Sequence, residues 1–349
     1  MKAAVLLSGG VDSSVALELS HKRGYDVTAF YLKIWLEDEL AYLGDCPWEE
    51  DLGYARAVCE QLDIPLEVVP LQAEYLDRVV TVAIEELKAG LTPSPDIFCN
   101  QRIKFGAFLD RIGHDFDRII SGHYAQIDRA KERVSLKRSA DTVKDQTYFL
   151  CNLSQEQVAR LDFPIGGMMK GRVRELAEES NLPNKCRKDS QGICFLGKIR
   201  YPEFVKFHLG EKIGAIIDIA SGKVLGRHRG YWFHTIGQRQ GLGLSGGPWY
   251  VVEKDVGQNV VFVSNADEKE NRARRRFSLP NPNWINGHPE TRRLKVKVRH
   301  GPQMADACVT VGTENGTEVA LDKGDPGIAP GQWAVIYNEE YCLGGGVIA

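Results

Sequence analysis

No pair of cysteines in this 349-residue chain has the C-x-x-C spacing of a zinc site or a thioredoxin-like centre, although eight cysteines are present. Their scatter is also unlike the dense framework of a small secreted domain, so a reduced, cytoplasmic protein is expected. No apolar run approaches the roughly 20 residues of a membrane helix, so no membrane association is expected. The first strand starts at the very beginning of the chain, and no signal or transit peptide is expected before it. Internal repeats and low-complexity tracts are lacking. Net charge is only -3, yet it is unevenly spread. From Asn271 to His300 nine Lys/Arg face Glu290 alone, a local excess that suits a polyanion.

What is present is concentrated at the start. The apolar run Ala3-Ala4-Val5-Leu6-Leu7 stops at Ser8-Gly9-Gly10, and a helical pattern then runs from Val11 through Val15, Leu17 and Leu19. This reads as buried strand, glycine turn and helix N-terminus in immediate succession. Glycine lets the backbone approach a ligand, and the free N–H groups of a helix start favour an anion, with Asp12, Ser13 and Ser14 at that start. The turn carries neither GxxxxGK[ST] nor GxGxxG, which excludes a P-loop lysine and a dinucleotide fingerprint there.

Further strands are expected at Val27–Leu32, Leu66–Val69 and Arg118–Ser121. Helices are expected from about Leu52 to Leu62, up to Leu87, and from Arg102 to Ile112. That alternation predicts an α/β unit with a doubly wound parallel sheet, whose ligand sits at the carboxyl ends of the strands. Leu32 and Gly122 fall on that edge. Helical patterns continue over Ser154–Leu161 and Lys170–Asn181. From about Lys212 the chain turns to short β-branched runs, Ala215–Ile219, Trp249–Val252 and Val260–Val263, then a basic connector, Arg272–Gly287, and runs at Leu294–Arg299 and Gln332–Tyr337. The expected division is 1–210 for the α/β unit with a helical extension, 211–272 for a small β-rich unit and 273–349 for a β-barrel. The acidic, aromatic stretch Trp35–Asp51 reads as a loop or partial lid.

Two cysteines stand in unusual settings. Cys99 follows the proline-stiffened Thr92-Pro93-Ser94-Pro95-Asp96 and precedes the helix expected near Arg102, where Lys104 adds positive charge. A thiol at such a helix start is biased toward thiolate. Cys194 lies between Gly192 and Gly197. Taken alone, each reads as a buried packing residue before a reactive one, and it is the motifs around them that reverse the order.

The loop Ser8-Gly9-Gly10-Val11-Asp12-Ser13 resembles that of the PP-loop ATP pyrophosphatases, which split ATP into AMP and pyrophosphate while adenylating a substrate. The ordered set of Ser94-Pro95-Asp96-(x2)-Cys99-Asn100, Ser121-Gly122-His123-Tyr124, Lys144-Asp145-Gln146-Thr147-Tyr148 and Gly192-Ile193-Cys194-Phe195 goes further. With Thr235-Ile236-Gly237-Gln238-Arg239, Ala329-Pro330-Gly331-Gln332 and Cys342-Leu343-Gly344-Gly345-Gly346, it resembles the tRNA-specific 2-thiouridylase family of MnmA type along the whole chain.

That resemblance implies an expected mechanism. ATP, with Mg, would bind at Leu7, Ser8, Gly9, Gly10, Val11, Asp12, Ser13, Ser14, Leu32 and Gly122, and activate the carbon-2 oxygen of a wobble uridine. Sulfur would arrive from a donor protein as a persulfide on Cys194. Cys99 would be the nucleophile that liberates it, leaving a transient Cys99–Cys194 disulfide. Asp96, the third catalytic residue implied, would meet the target base and handle a proton there; a turn-stabilising role is its alternative. The resemblance places tRNA contacts at Ser94, Pro95, Asp96, His123, Lys144, Asp145, Gln146, Arg299, His300 and Gln332. The target base would have to leave its stack to be reached. His123 also reads as a packing residue, Arg272–Arg276 as a solvated face, and Thr235–Gly243 as either an RNA-facing loop or a plain turn. The family usually has asparagine where Ser94 stands. No bound metal is expected; an iron–sulfur cluster on three cysteines including Cys99 and Cys194 is the less favoured alternative. A different PP-loop synthetase would lack the paired cysteine motifs, and a non-catalytic RNA-binding protein would have no need of Asp12, Cys99 and Cys194 together.

Overall fold

A computed structural model describes residues 1–34, 48–130, 133–188, 201–265 and 272–349. Trp35–Pro47 and the Cys194 motif therefore lie outside the described residues.

Strand β1 (Lys2–Leu6) is apolar on both faces because both are covered. Ala4 and Leu6 enter one core, while Ala3, Val5 and Leu7 enter the other. Around it lie β2 (Asp26–Lys33), β3 (Leu66–Pro70) and β4 (Arg118–Ser121). The chain then makes a hairpin of β5 (Ala125–Asp128) and β6 (Ser135–Arg138) and returns as the short β7 (Leu161–Asp162). The sheet order is β3-β2-β1-β4-β7, all parallel, the doubly wound arrangement expected. Leu161 belongs to β7 rather than to the preceding helix, which is Gln155–Arg160 with a Ser154/Gln157 capping box.

The central unit holds β8 (Gly214–Asp218), β9 (Val224–His228), β10 (Tyr250–Asp255) and β11 (Val260–Ser264) in the order β10-β11-β8-β9. Its core is Ile216, Tyr231, Val251, Val261 and Val263, with Leu242. The spelling G-x-G-x-x-G does occur at Gly241–Gly246, but in a turn-rich loop before β10 with no helix after it. It is not a dinucleotide site.

The third sheet contains β12 (Arg274–Leu279), β13 (Asn283–Trp284), β14 (Arg293–Lys297), β15 (Ala305–Thr313), β16 (Gly316–Asp325), β17 (Trp333–Asn338) and β18 (Tyr341–Val347). Part of the basic connector is thus a strand: β12 pairs with β16 and buries Phe277 and Leu279 while Arg274, Arg275 and Arg276 stay exposed. Three consecutive arginines hid the alternation. The sheet does not end with its own segment. Strand β6 pairs with β18, so the 125–138 hairpin of the α/β unit extends the barrel sheet. One hydrophobic core accordingly runs from Phe98, Cys99 and Tyr148 to Trp333, Tyr337 and Cys342. Among the described residues no helix is long and apolar enough to cross a membrane.

Candidate active site

The glycine turn is built as its spelling requires. Leu7 N–H donates to the Phe30 carbonyl at 2.9 Å, carrying the chain past β1 to Gly9, which has φ +76°. A Cβ on Gly9 would collide with the Asp51 carbonyl. Helix α1 (Val11–Lys22) then starts on Gly10 with no side-chain cap. Its first-turn amides are left for a ligand. Ser13 and Ser14 hydroxyls both donate to the Gly10 carbonyl at 3.0 Å, and Ser8 N–H donates to Ser13 Oγ at 3.2 Å. Gly122, after β4, lies against this helix start: a Cβ there would sit 2.6 Å from Ser13 N. Leu32, near the end of β2, is on the same carboxyl edge. The nucleotide set of the sequence is brought together.

The positive charge that the turn lacks comes from elsewhere. Lys170 Nζ donates to both Asp12 carboxylate oxygens, at 2.7 and 2.9 Å, and Tyr124 hydroxyl donates to Oδ1 at 3.0 Å. Asn184 Nδ2 donates to the Gly9 carbonyl and to Ser14 Oγ, both at 2.8 Å, while its buried Oδ1 has no partner among the described residues. Arg187 donates to the Gly9 carbonyl at 3.1 Å and pairs with Asp51. Burial raises the Asp51 carboxyl above its ordinary value despite that arginine. Sequence reasoning missed all five residues. Tyr124 stood inside a motif already noticed, and Arg187 opens the basic step before Lys188-Asp189 and the Cys194 motif. Lys170 had no local signal.

The cysteine helix begins earlier than expected. Pro95 occupies its first position and Ser94 its cap, because proline lacks the N–H that a first turn leaves unused. Cys99 therefore lies in the second turn, not at the helix start, and opens a π-helical stretch, Cys99–Ala107, of the kind often found at functional sites. It is 1% exposed and packed in the shared core. Arg102 places its guanidinium 4.0 Å from the Phe98 ring centroid. Ser94 makes no side-chain cap, so its hydroxyl is not consumed in holding the helix. The loop before it rests on the barrel: Thr92 N–H donates to the Pro330 carbonyl at 3.0 Å, and Phe98 meets Trp333 edge-on at 6.2 Å.

The residues expected to face RNA divide into three groups. Arg299 and His300 are exposed just beyond β14, with Arg299 paired to Asp325. His300 stacks on Phe149 at 4.6 Å; although the residue is exposed, partial desolvation of its ring holds the pKa below the usual value, with Asp96 among the charges pulling the other way. Asp96 and His300, far apart in sequence, are thus electrostatic neighbours. Gln146 and Gln332 are half-buried and partly committed: Gln146 Oε1 accepts from Tyr124 N–H at 2.9 Å, Gln332 Oε1 from Ala329 N–H at 3.2 Å. Lys144 is half-buried as well.

Two expectations need correction. Asp145 is 1% exposed, and its carboxylate is spent on Lys297, Arg138 and Thr147, so its side chain is interior rather than RNA-facing. His123 takes the packing role: its Nδ1 lies 2.7 Å from Ser121 Oγ, and its ring meets Phe105 and Phe163 at 5.8 and 5.7 Å. Burial and the nearby Lys104 keep it neutral, well below the ordinary histidine range. The Thr235–Gly243 loop reaches the barrel: a Cβ on Gly237 would be 3.1 Å from Gly327 Cα, and one on Gly327 would be 2.9 Å from Arg299. Arg274–Arg276 line an edge strand, where positive charge also opposes stray pairing. Among the described residues no group of three or more His, Cys, Asp or Glu is placed to hold a metal ion.

Against known proteins, residues 1–198 match the family model described as "tRNA methyl transferase HUP domain". Residues 202–265 match "tRNA methyl transferase PRC-barrel domain", and 274–348 match "Aminomethyltransferase beta-barrel domain". The chain is similar to proteins called tRNA-specific 2-thiouridylase MnmA. That of Parabacteroides distasonis is 45% identical over all of this chain and 99% of its own length. That of Porphyromonas gingivalis is 44% identical with the same coverage, and MnmA 1 of Bacteroides thetaiotaomicron is 46% identical, again over 100% and 99%.

Proposed function

This chain belongs to the tRNA-specific 2-thiouridylase family, and from that membership we propose that it is a tRNA-uridine 2-sulfurtransferase. It uses ATP to activate carbon 2 of the wobble uridine and replaces the oxygen there by sulfur. The reading is carried by one observation: the α1 turn and the Cys99 helix are tied together through His123, beside Gly122, packed on Phe105. The glycine turn and the helix that carries Cys99 are thereby joined through a single residue.

In the proposed reaction MgATP lies on the α1 N-terminus, with Lys170 and Arg187 offsetting the negative charge that builds as pyrophosphate leaves. The uridine carbon-2 oxygen attacks the α-phosphorus, giving an O-adenylate and pyrophosphate. Sulfur waits as a persulfide on Cys194, delivered by a donor protein. The Cys99 thiolate attacks the inner sulfur of that persulfide; a Cys99–Cys194 disulfide forms and hydrosulfide leaves. Hydrosulfide adds at carbon 2, AMP departs with the oxygen, and an external dithiol reduces the disulfide. Cys99 is buried, so this step needs Cys99 to be uncovered and the Cys194 persulfide brought to it. Ser94, Pro95 and Asp96 receive the extruded base, and Lys144, Gln146, Arg299, His300 and Gln332 hold the surrounding RNA. Residues 1–210 do the chemistry, 211–272 form the small β-rich unit, and 273–349 complete the RNA surface. The protein works in the cytoplasm.

The test incubates unmodified tRNA with protein, MgATP and a persulfide source, and follows 2-thiouridine, AMP and pyrophosphate together. Wild type is expected to make all three, and Cys99→Ser and Cys194→Ser to lose the 2-thiouridine. AMP release without thiolation, unchanged in both variants, overturns the cysteine roles. Tight tRNA binding with no product at all overturns the enzyme reading.

A further inference from the structure

A lysine and an aspartate face each other with no solvent exposure of either side chain: Lys297 Nζ donates to Asp145 Oδ2 at 3.0 Å. Arg138 Nε donates to the same oxygen at 3.0 Å, its side chain 15% exposed. The other oxygen, Oδ1, accepts from Thr147 Oγ1 at 2.8 Å, Thr147 N–H at 3.3 Å and Ser139 N–H at 3.4 Å. Lys297 also lies 5.4 Å from the Tyr337 ring centroid. The three charged groups come from β14, from β6 and from the loop after β6.

Where this cluster sits matters more than its existence. Asp145 is the middle residue of Lys144–Gln146, and Lys297 ends β14 two residues before Arg299. The main-chain carbonyl of Asp145 accepts from His300 Nε2 at 3.3 Å, a second tie between the same segments. A lone charge in this interior would cost several kcal/mol, so neither Lys297 nor Asp145 can slide away from the other without that penalty. Apolar packing would hold the two units together less specifically, because it tolerates sliding.

We propose that Asp145 is a positioning residue: its buried carboxylate fixes Lys144 and Gln146 in register with Arg299 and His300, so that two distant segments present one RNA surface. This rests on the reading above that those segments bind tRNA. Asp145 itself does not touch the RNA. Its effect passes through Lys297, Arg138 and the His300 contact.

The experiment compares wild type, Asp145→Asn and the double variant Asp145→Asn/Lys297→Met, in which no unpaired ammonium is left buried. KM for tRNA, KM for ATP and the salt dependence of tRNA affinity are measured for each at a temperature where it is folded. The expected result for the double variant is a tRNA KM raised about tenfold or more with an ATP KM within about twofold of wild type. The log–log salt slope should be shallower by about 1–2, because the cationic contacts no longer engage together. An unchanged tRNA KM and slope would mean that the cluster only stabilises the fold, and overturns the proposal. A raised KM with an unchanged slope would mean that Asp145 reads the RNA directly, and overturns it too. Should neither neutral variant fold, Asp145→Glu keeps the charge but displaces the lysine by a methylene. It is then expected to raise the tRNA KM alone, and an unchanged KM overturns the proposal. Absence of tRNA binding by wild type would instead count against the function proposed above.

Discussion

Lys170 Nζ sits 2.7 Å from the Asp12 carboxylate, although 158 positions separate the two residues in sequence. The pair stands at an uncapped helix start whose own turn contains no lysine or arginine. In the reaction proposed above, a cation held there by a carboxylate would be in position before the phosphates arrive and would need no reorganisation.

Lys170→Met is accordingly expected to slow tRNA-dependent pyrophosphate release about 100-fold or more while leaving the Kd for tRNA unchanged. Lys170→Arg should retain part of the activity. Pyrophosphate release at the wild-type rate in Lys170→Met would remove this lysine from the site.

Gly122→Ala tests how closely β4 must approach α1. Its Cβ would sit 2.6 Å from Ser13 N and 2.7 Å from Asp12 C, backbone atoms that cannot swing aside. The helix start must shift, so the KM for ATP should rise about tenfold with little change in tRNA affinity. Titration calorimetry with a non-hydrolysable ATP analogue checks it.

Gly331→Ala probes the seat of the base loop from the other side. Gly331 has φ +86°, and a Cβ there would lie 2.7 Å from both Leu91 Cβ and Thr92 N. Strain of about 1–3 kcal/mol is expected from the backbone conformation, and the Thr92–Asp96 loop would be pushed off the barrel. The rate of thiolation should fall while the KM for ATP stays the same. Single-turnover kinetics separates the two.

Burial lifts the Glu86 carboxyl from 4.5 to about 7, with Arg102 pulling the other way, and its Oε2 has no partner among the described residues. The folded protein then holds a proton that the unfolded chain releases. That contribution to stability is complete below about pH 4.5, declines as pH rises toward 7, and is gone above it. Glu86→Gln should therefore melt above wild type at pH 8, by roughly 1–3 °C given the partial exposure of the group, and match it near pH 4.5. Melting curves at the two pH values decide it.

Much of the fold was legible in local pattern. The run Ala3–Leu7 followed by Ser8-Gly9-Gly10 spells a doubly covered strand and a tight turn, and both occur where expected. The start of the Cys99 helix was misplaced because Pro95 was read as a loop residue when it is the first residue of the helix. The strand Arg274–Leu279 was hidden by Arg274-Arg275-Arg276, all exposed on one edge, with Phe277 and Leu279 alone carrying the buried alternation. The β5–β6 hairpin went unread since its strands are four residues each and pair into a sheet whose other members begin at Arg274.

By itself, then, the order of residues determined the parallel α/β unit, the glycine turn with its exposed helix start, the later β-rich character and the family. These depend on backbone preference and apolar period over a few residues, which neighbours in sequence decide between themselves. Tertiary structure alone decided that Asp145 is interior, that His123 is a neutral packing residue, and that Lys170 and Arg187 serve the turn. Each of those roles depends on which groups share a desolvated space. A charge in water is nearly indifferent to its neighbours, whereas a buried one is tolerated only beside its partner. Lys170, Arg187 and the Asp145–Lys297 pair find partners between 136 and 178 residues away, while Arg138 and Thr147 serve Asp145, and Ser121 serves His123, from within seven residues.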